Sequence, residues 1–512
     1  MYIAMRKNNY LLTEDNMKKE ITLIIFLFTF LFAACSTVKE TTKTPANDLF
    51  TLKQKIQERF DDSIFANAHW GVLIKSLKTG ETWYERNSGK MFMPASNEKI
   101  PTAAATLVTL GPEFTFETYM NYEGEIKDSI LEGNLVVYGN GDPTLYTRLT
   151  TDPLGLFKSW AVKLSSMGIK KINGNIIGDD NAFEDYPYGY GWTYDDLDAW
   201  YSAEISPLQL NENCVDLKFI PPATKEGRLT IQPNLPSSFY KIEDVTIVGD
   251  TGNSNIRISR AFGTNTIKIS GYVKAGSKEF EETPSLYNPT LFYVTVLKEE
   301  LERNGIKVIG EPKDCDDIAG WKTTHHNLTL IDKHNSPLFR DVLAGLMKPS
   351  QNLYAETFVR TLGWKKTGIG SFRQGKKIVE DVLKQFGIQS DTYAYMDGSG
   401  LSRYNYTSPE ILVKILEGMR HHSYWIDWYN AMPVAGVDGT LKGRMKGTPA
   451  EKNVHAKTGT ISNVRGLSGY VTTADGEEIV FSFLVNGHLR TAAETNYITD
   501  SVLEIISSLD RR

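Results

Sequence analysis

The sequence predicts an α+β chain: an antiparallel sheet flanked by helices, interrupted by a largely β insertion in two parts. Three observations predict it. Strand-like runs lie near both ends, at 71–77 and 81–86, then at 453–459, 466–473 and 478–486. Helical periodicity accompanies them at 97–110, 337–347, 353–362 and 496–509. Between about 117 and 330 the texture changes: short strands at 134–138, 171–177, 215–220, 245–248 and 266–273 are separated by Gly, Pro, Asn and Asp. The chain is therefore expected to leave its first domain after one helix and to return later to complete it.

The elements justify themselves in order. Lys18 and Lys19 precede an apolar run at 21–32, and Ala33-Ala34-Cys35 follows. A positive start, a short apolar stretch and a small-residue exit describe an export signal too short for a comfortable membrane span. The Cys at the exit resembles the bacterial lipoprotein signal, which implies cleavage before Cys35 and a lipid anchor on it. Residues 1–16, with Glu14 and Asp15, read as an extension upstream of Met17, residues 17–34 as the signal, and 35–49 as a solvated tether. The runs 71–77 and 81–86 flank Lys78-Thr79-Gly80, which is hairpin punctuation. Within 97–110, Ala103, Ala104, Leu107 and Val108 share a face, and Gly111 is a stop. The last helix carries Ile498, Val502, Ile505, Ile506 and Leu509 along one stripe.

At 512 residues the chain exceeds one compact core. The expected division is 50–116 with 331–512 as the main domain, 117–206 with 300–330 as a second, and 207–299 as a third. Composition is that of an ordinary globular protein. A net charge of -6 with no concentrated basic face argues against nucleic acid as a partner. Cys214 and Cys315 read as unpaired buried thiols, although an exported chain could pair them.

Chemistry concentrates in three segments. In Ser96-Asn97-Glu98-Lys99, a helix opening at Ser96 puts Lys99 one turn on, on the same face. An uncharged amine there can take the hydroxyl proton, and burial favours that form. Pro101 cannot donate to the carbonyl of Asn97, so the first turn must be irregular or capped otherwise. Ser350-Gln351-Asn352 follows Pro349 and precedes a helix; alone it is a helix cap, and with the others a second hydroxyl-amide pair. Lys-Thr-Gly occurs at Lys78, Lys366 and Lys457. The first copy is a hairpin turn and the second ends a helix at Gly368. Only the third lies in a strand, runs on to Thr460 and leads through Ser462-Asn463 into another strand. Alternation sends Lys457 and Thr458 to opposite faces, and Gly459 is expected to leave room for a substrate along the strand. His325-His326 and His421-His422 lack metal-site spacing and read as surface; His455 shares the Lys457 face and reads as structural. No metal or organic cofactor is expected.

Taken together, the three segments resemble those of the low-molecular-mass class C penicillin-binding proteins, the D-alanyl-D-alanine carboxypeptidase/endopeptidase family. The long separation of Ser96 from Ser350 resembles that family, which inserts two domains at this point. Similar phrases are Gly141-Asp142-Pro143, Gly191-Trp192-Thr193-Tyr194-Asp195-Asp196, Leu210-Asn211-Glu212-Asn213, Asp397-Gly398-Ser399-Gly400-Leu401-Ser402-Arg403 and Pro433-Val434-Ala435-Gly436-Val437-Asp438-Gly439-Thr440-Leu441. The resemblance runs from about residue 50 to the C-terminus. It implies a penicillin-binding, serine β-lactamase-like domain, with Ser96 as nucleophile, Lys99 as base, and Ser350 and Asn352 on the proton path. It further implies that Lys457, Thr458 and Thr460 bind a terminal D-alanine carboxylate, with backbone N–H groups of Ser96 and Thr460 as oxyanion hole. Asp196 and Arg403 match positions contacting the far end of a diaminopimelate-type side chain. The implied partners are peptidoglycan peptides, β-lactams, and a membrane through the anchor; association of subunits is left open. A serine β-lactamase and a non-catalytic envelope-binding protein are the competing expectations.

Overall fold

The computed structural model describes residues 49–323 and 327–511. The export signal, Cys35, the tether up to residue 48 and the pair His325-His326 lie outside the described residues. The two terminal strand sets join in one five-stranded antiparallel sheet, in the order His455–Ile461, Val464–Thr472, Glu478–Asn486, His69–Ser76, Thr82–Arg86. The register places Trp70 opposite Val485 and Leu73 opposite Ser482, so the N-terminal hairpin is sewn to the last strand of the chain.

One face of this sheet is covered by the helices Lys99–Leu110, Phe339–Met347, Asn352–Thr367, Phe372–Gln385, Pro409–Arg420 and Trp425–Ala431. Their apolar stripes meet sheet residues Tyr470, Val480 and Leu484 in a continuous core. The other face receives the helical residues 52–60 and the helix Ala492–Ser507; Phe60 packs against Trp70 and Phe483, with ring centroids 4.9 and 5.7 Å apart. The final helix opens with a capping box from Thr491 and Glu494, four residues earlier than the stripe alone suggests.

The stretch between carries a five-stranded mixed sheet, Pro312–Asp314, Ile176–Asp179, Leu135–Gly139, Glu117–Tyr122, Thr329–Asn335, and three smaller sheets. It also holds the helices Gly155–Ser166 and Pro289–Arg303, which the Gly- and Asn-rich texture concealed. Their inner residues, among them Trp160 and Phe292, share one apolar cluster with Leu217, Phe219, Ile267 and Ile269. The expected strand at 171–177 is two strands, Lys171–Ile172 and Ile176–Asp179, in different sheets. A Cβ on the intervening Gly174 would fall 2.2 Å from the Gly133 carbonyl, so the chain crosses there.

Candidate active site

Three elements meet around one groove. The first is a 3-10 turn, Ala95–Glu98, that carries Ser96 and leads into the helix Lys99–Leu110. The irregular start that Pro101 demanded is this turn. Lys99 opens the helix and donates its N–H back to the turn carbonyls, and Pro101 falls where no intrahelical donor is needed. Ala95 is held at φ 48°, left-handed backbone that is costly for a residue with a Cβ. The second element is the N-terminus of Asn352–Thr367. Gln351 caps it by accepting the Leu353 N–H at 3.2 Å, while Ser350 is turned to φ 67°. The third is the edge strand His455–Ile461.

Lys99, through its side-chain nitrogen, joins the first two of these to the loop at Ser399. Its Nζ lies 2.9 Å from Ser96 Oγ, 2.6 Å from Asn352 Oδ1 and 2.7 Å from the Ser399 carbonyl. A neutral amine has two N–H donors and one lone pair. The amide oxygen and the carbonyl can only accept, so in the neutral form the lone pair is left for the Ser96 hydroxyl. Lys99 is fully buried, and desolvation brings its pKa down to about 7, against the opposing pull of Asp397, Glu356 and Glu98. Ser96 itself is half-buried.

Lys457 is also fully buried. It donates to Ser350 Oγ at 2.7 Å and to the Thr458 carbonyl at 2.9 Å. Burial pushes its pKa well below the lysine range, and the neighbouring Lys99 pushes the same way. The strand alternates as expected: Thr458 and Thr460 line the groove, and Lys457 points behind it. Gly459 serves a different purpose from the one the sequence suggested. A Cβ there would lie 2.7 Å from the Pro94 carbonyl and 2.8 Å from Asn97 Nδ2, so the glycine admits the Ser96 turn, not a substrate. Asn97 Nδ2 then ties the turn to the strand through the Lys457 carbonyl at 3.3 Å.

The groove has a volume of about 560 Å³ and is lined by Ser96, Ser350, Asn352, Thr440, Thr458 and Thr460, and also by Asp196, Trp200, Arg403 and Arg465. Asp196 accepts from Tyr201 Oη at 2.7 Å and from Thr193 Oγ1; Arg403 is exposed and donates to the Ser462 carbonyl at 3.4 Å. The other two Lys-Thr-Gly copies are a turn at Gly80 and a left-handed helix cap at Gly368, away from the groove. His455 stacks on Tyr429 at 3.9 Å and does not line it.

A profile of the D-Ala-D-Ala carboxypeptidase 3 (S13) family matches residues 52–506. The chain belongs to this family. Membership makes it a hydrolase of the DD-carboxypeptidase class and bears out both the resemblance and the α+β fold class expected from sequence. It is similar to the D-alanyl-D-alanine carboxypeptidase of Actinomadura sp. (strain R39), 31% identical over 458 residues, covering 86% of this chain and 82% of that one. Carboxypeptidase DacB of Haemophilus influenzae is 28% identical over 82% of this chain and 85% of its own length. The crystal structure of penicillin binding protein 4 from that organism superposes with a TM-score of 0.76 at 26% identity, covering 90% of this chain and 99% of that one.

Four groups around the groove and its Lys99 bonds escaped the sequence reading: the Ser399 and Tyr201 carbonyls, Glu356 and Thr440. Backbone acceptors leave no trace in residue type, whereas Thr440, which accepts from Thr458 Oγ1 at 2.7 Å, lay inside a phrase already singled out. Among the described residues, Asp180, Asp314, Cys315 and Asp316 bring ligand-type atoms within 4.8 Å of one another. Internal hydrogen bonds already engage them: Thr290 and Cys315 donate to Asp180, and Asn288 donates to Asp314.

Proposed function

We propose that this enzyme cleaves the D-alanyl-D-X bond at the end of peptidoglycan peptides through an acyl-enzyme on Ser96, which water then hydrolyses. The observation that carries this reading is the Lys99 amine, 2.9 Å from Ser96 Oγ with acceptors at its other contacts. Lys99 takes the Ser96 proton as Oγ attacks the scissile carbonyl. The N–H groups of Ser96 and Thr460 receive the developing oxyanion. The leaving amine takes its proton through Ser350, which the Lys457 hydrogen bond orients. The substrate's terminal carboxylate lies against Thr458 and Thr460, and its charge favours the cationic form of Lys457. Asp196 and Arg403 hold the opposite end of the peptide, where one negative and one positive group suit a side chain bearing both an amine and a carboxylate.

A β-lactam presents the same carbonyl and carboxylate and acylates the same serine. In support, the β-lactam complex of Haemophilus influenzae penicillin binding protein 4 superposes with a TM-score of 0.69 at 25% identity, over 88% of this chain and 97% of that one. The sheet with its helices, from 50–116 and 331–512, forms the catalytic domain in this reading; 117–206 with 300–330 and 207–299 are the inserted domains. In this reading the enzyme is a periplasmic lipoprotein of the bacterial envelope, which the export-signal pattern and Cys35 support. Among the described residues no helix is long and apolar enough to cross a membrane.

The deciding experiment compares wild type with Ser96→Ala on purified muropeptides and with a fluorescent penicillin. Release of D-alanine and a lasting adduct on wild type alone are the expected results. Cleavage by the alanine variant would overturn the nucleophile. Rapid turnover of the penicillin would point to a β-lactamase, and no labelling to a binding protein.

A further inference from the structure

Glu356 lies one turn beyond Asn352 on the same helix and is fully buried. Its Oε1 accepts the backbone N–H groups of Gly398 and Ser399, both at 2.9 Å. The carbonyl of that same Ser399 receives the Lys99 amine at 2.7 Å. One helix thus supplies both restraints on the amine: Asn352 Oδ1 directly, and the Ser399 carbonyl through Glu356. We propose that Glu356 is the positioning residue of the Lys99 base, fixing the Ser399 carbonyl that aims the amine at Ser96 and adding a negative charge beside it. The inference rests on the reading of Lys99 as base and Ser96 as nucleophile.

A purely structural role would need only an acceptor for two N–H groups, and a glutamine oxygen supplies that without the penalty of burying a carboxyl. The acid adds charge. Burial, and then Asp397, raise its pKa to about 7, so it and Lys99 share a titration range. The charged groups facing the pair come from every neighbouring element. Glu98 lies on the Ser96 turn, Asp397 on the 397–400 loop, Lys457 on the edge strand and Arg360 one turn further along the helix, 3.5 Å from Glu356 Oε2. Lys376 faces Glu98, and Glu184 faces Arg360. Asp397 is committed to closing its own loop, accepting from the N–H groups of Gly400 and Ser402, from Asn405 and from Trp192 Nε1. Glu356 is therefore the acid whose hydrogen bonds lead to the base.

The test measures acylation by a fluorescent penicillin from about pH 5 to about pH 9 on wild type, Ser96→Ala, Glu356→Gln and Glu356→Ala, each with a melting curve. Glutamine keeps both hydrogen bonds and loses the charge. It should move the acid limb of the rate profile down by roughly one pH unit, because a lysine with less negative charge beside it stays neutral to lower pH. Alanine frees the carbonyl and should cut the maximal rate by about a hundredfold. A glutamine variant with the wild-type acid limb, or an alanine variant with the wild-type rate, would overturn the proposal. Labelling of Ser96→Ala would instead remove the reading on which it rests. Glu356→Gln leaves Arg360 as a buried cation, so the paired Glu356→Gln/Arg360→Met variant covers a failure to fold. Its acid limb should shift in the same direction by less, and no shift would again overturn the proposal.

Discussion

The side-chain amide of Asn352 donates to the backbone carbonyl of Tyr201 at 2.7 Å, across 151 residues of chain. A carbonyl only accepts, so this bond settles which end of the amide faces Lys99: the oxygen, at 2.6 Å. The long interruption between the first helix and Ser350 therefore reaches the groove and orients a residue in it. A second contact lies behind the groove, where the buried Gln351 donates to Glu212, a carboxylate also held by Arg148 at 2.7 Å.

Asn352→Asp tests that relationship with almost no change of volume. A carboxylate has no donor for the Tyr201 carbonyl and puts a negative charge on the Lys99 amine, raising its pKa. Acylation at pH 7 should fall by about a hundredfold, ~2.7 kcal/mol in the barrier, and recover part of the loss as the pH rises. Rates of penicillin acylation across pH measure both effects.

The wild-type enzyme should lose acylation on acidification with a midpoint near the Lys99 pKa of about 7, close to tenfold per pH unit below it. The stability effect follows from the same shift. The folded pKa lies below the unfolded lysine value, so between about 7 and about 10.4 the unfolded chain binds the extra proton, and this contribution rises with pH. Chemical denaturation of wild type against Lys99→Met should show wild type gaining relative stability across that window and none below it.

Gly459→Ala places a methyl group against the Pro94 carbonyl and the Asn97 amide, at 2.7 and 2.8 Å. Neither contact is with a flexible chain end, since Asn97 is itself held by the Lys457 carbonyl. A cost of about 1–3 kcal/mol and a sharp loss of acylation are expected, read by denaturant melts and labelling rates.

Cys214 and Cys315 are both buried and unpaired, and burial raises both thiol pKa values. The melting temperature should be the same with and without reductant. A thiol reagent should modify either residue only when the chain unfolds.

Asp196→Ala should separate peptide recognition from acylation. Its carboxylate bonds Thr193 and Tyr201 and none of the Lys99 partners, so penicillin acylation should stay within about threefold, whereas KM for a peptide with a side-chain amine should rise about tenfold. Equal losses on both substrates would remove Asp196 from peptide recognition.

Much of this site was legible because its chemistry rests on residue types with few uses in combination. Ser96 and Lys99 at helical spacing, and a Lys-Thr-Gly copy on a strand, read correctly from local pattern; Pro101 even announced the irregular turn. The function of Gly459 did not read correctly, because what it accommodates, Pro94 and Asn97, lies hundreds of residues away in sequence. The helix Pro289–Arg303 carried its own signal, an Asn288 cap with Pro at the first position, but Gly- and Asn-rich neighbours outweighed it. Glu356 had no signal at all: a glutamate in the middle of a helix looks like solvent-facing charge until the partner loop is in place.

The hairpin strand His69–Ser76 has Glu478–Asn486 as its inner neighbour, so the sheet on which the Ser96 turn packs cannot close until residues 478–486 are present. A chain lacking that strand has no assembled groove, so Ser96 is not expected to react before the strand is in place. Covalent penicillin labelling should therefore mark only chains that carry residues 478–486, and clipping off that strand should silence a serine far upstream of it.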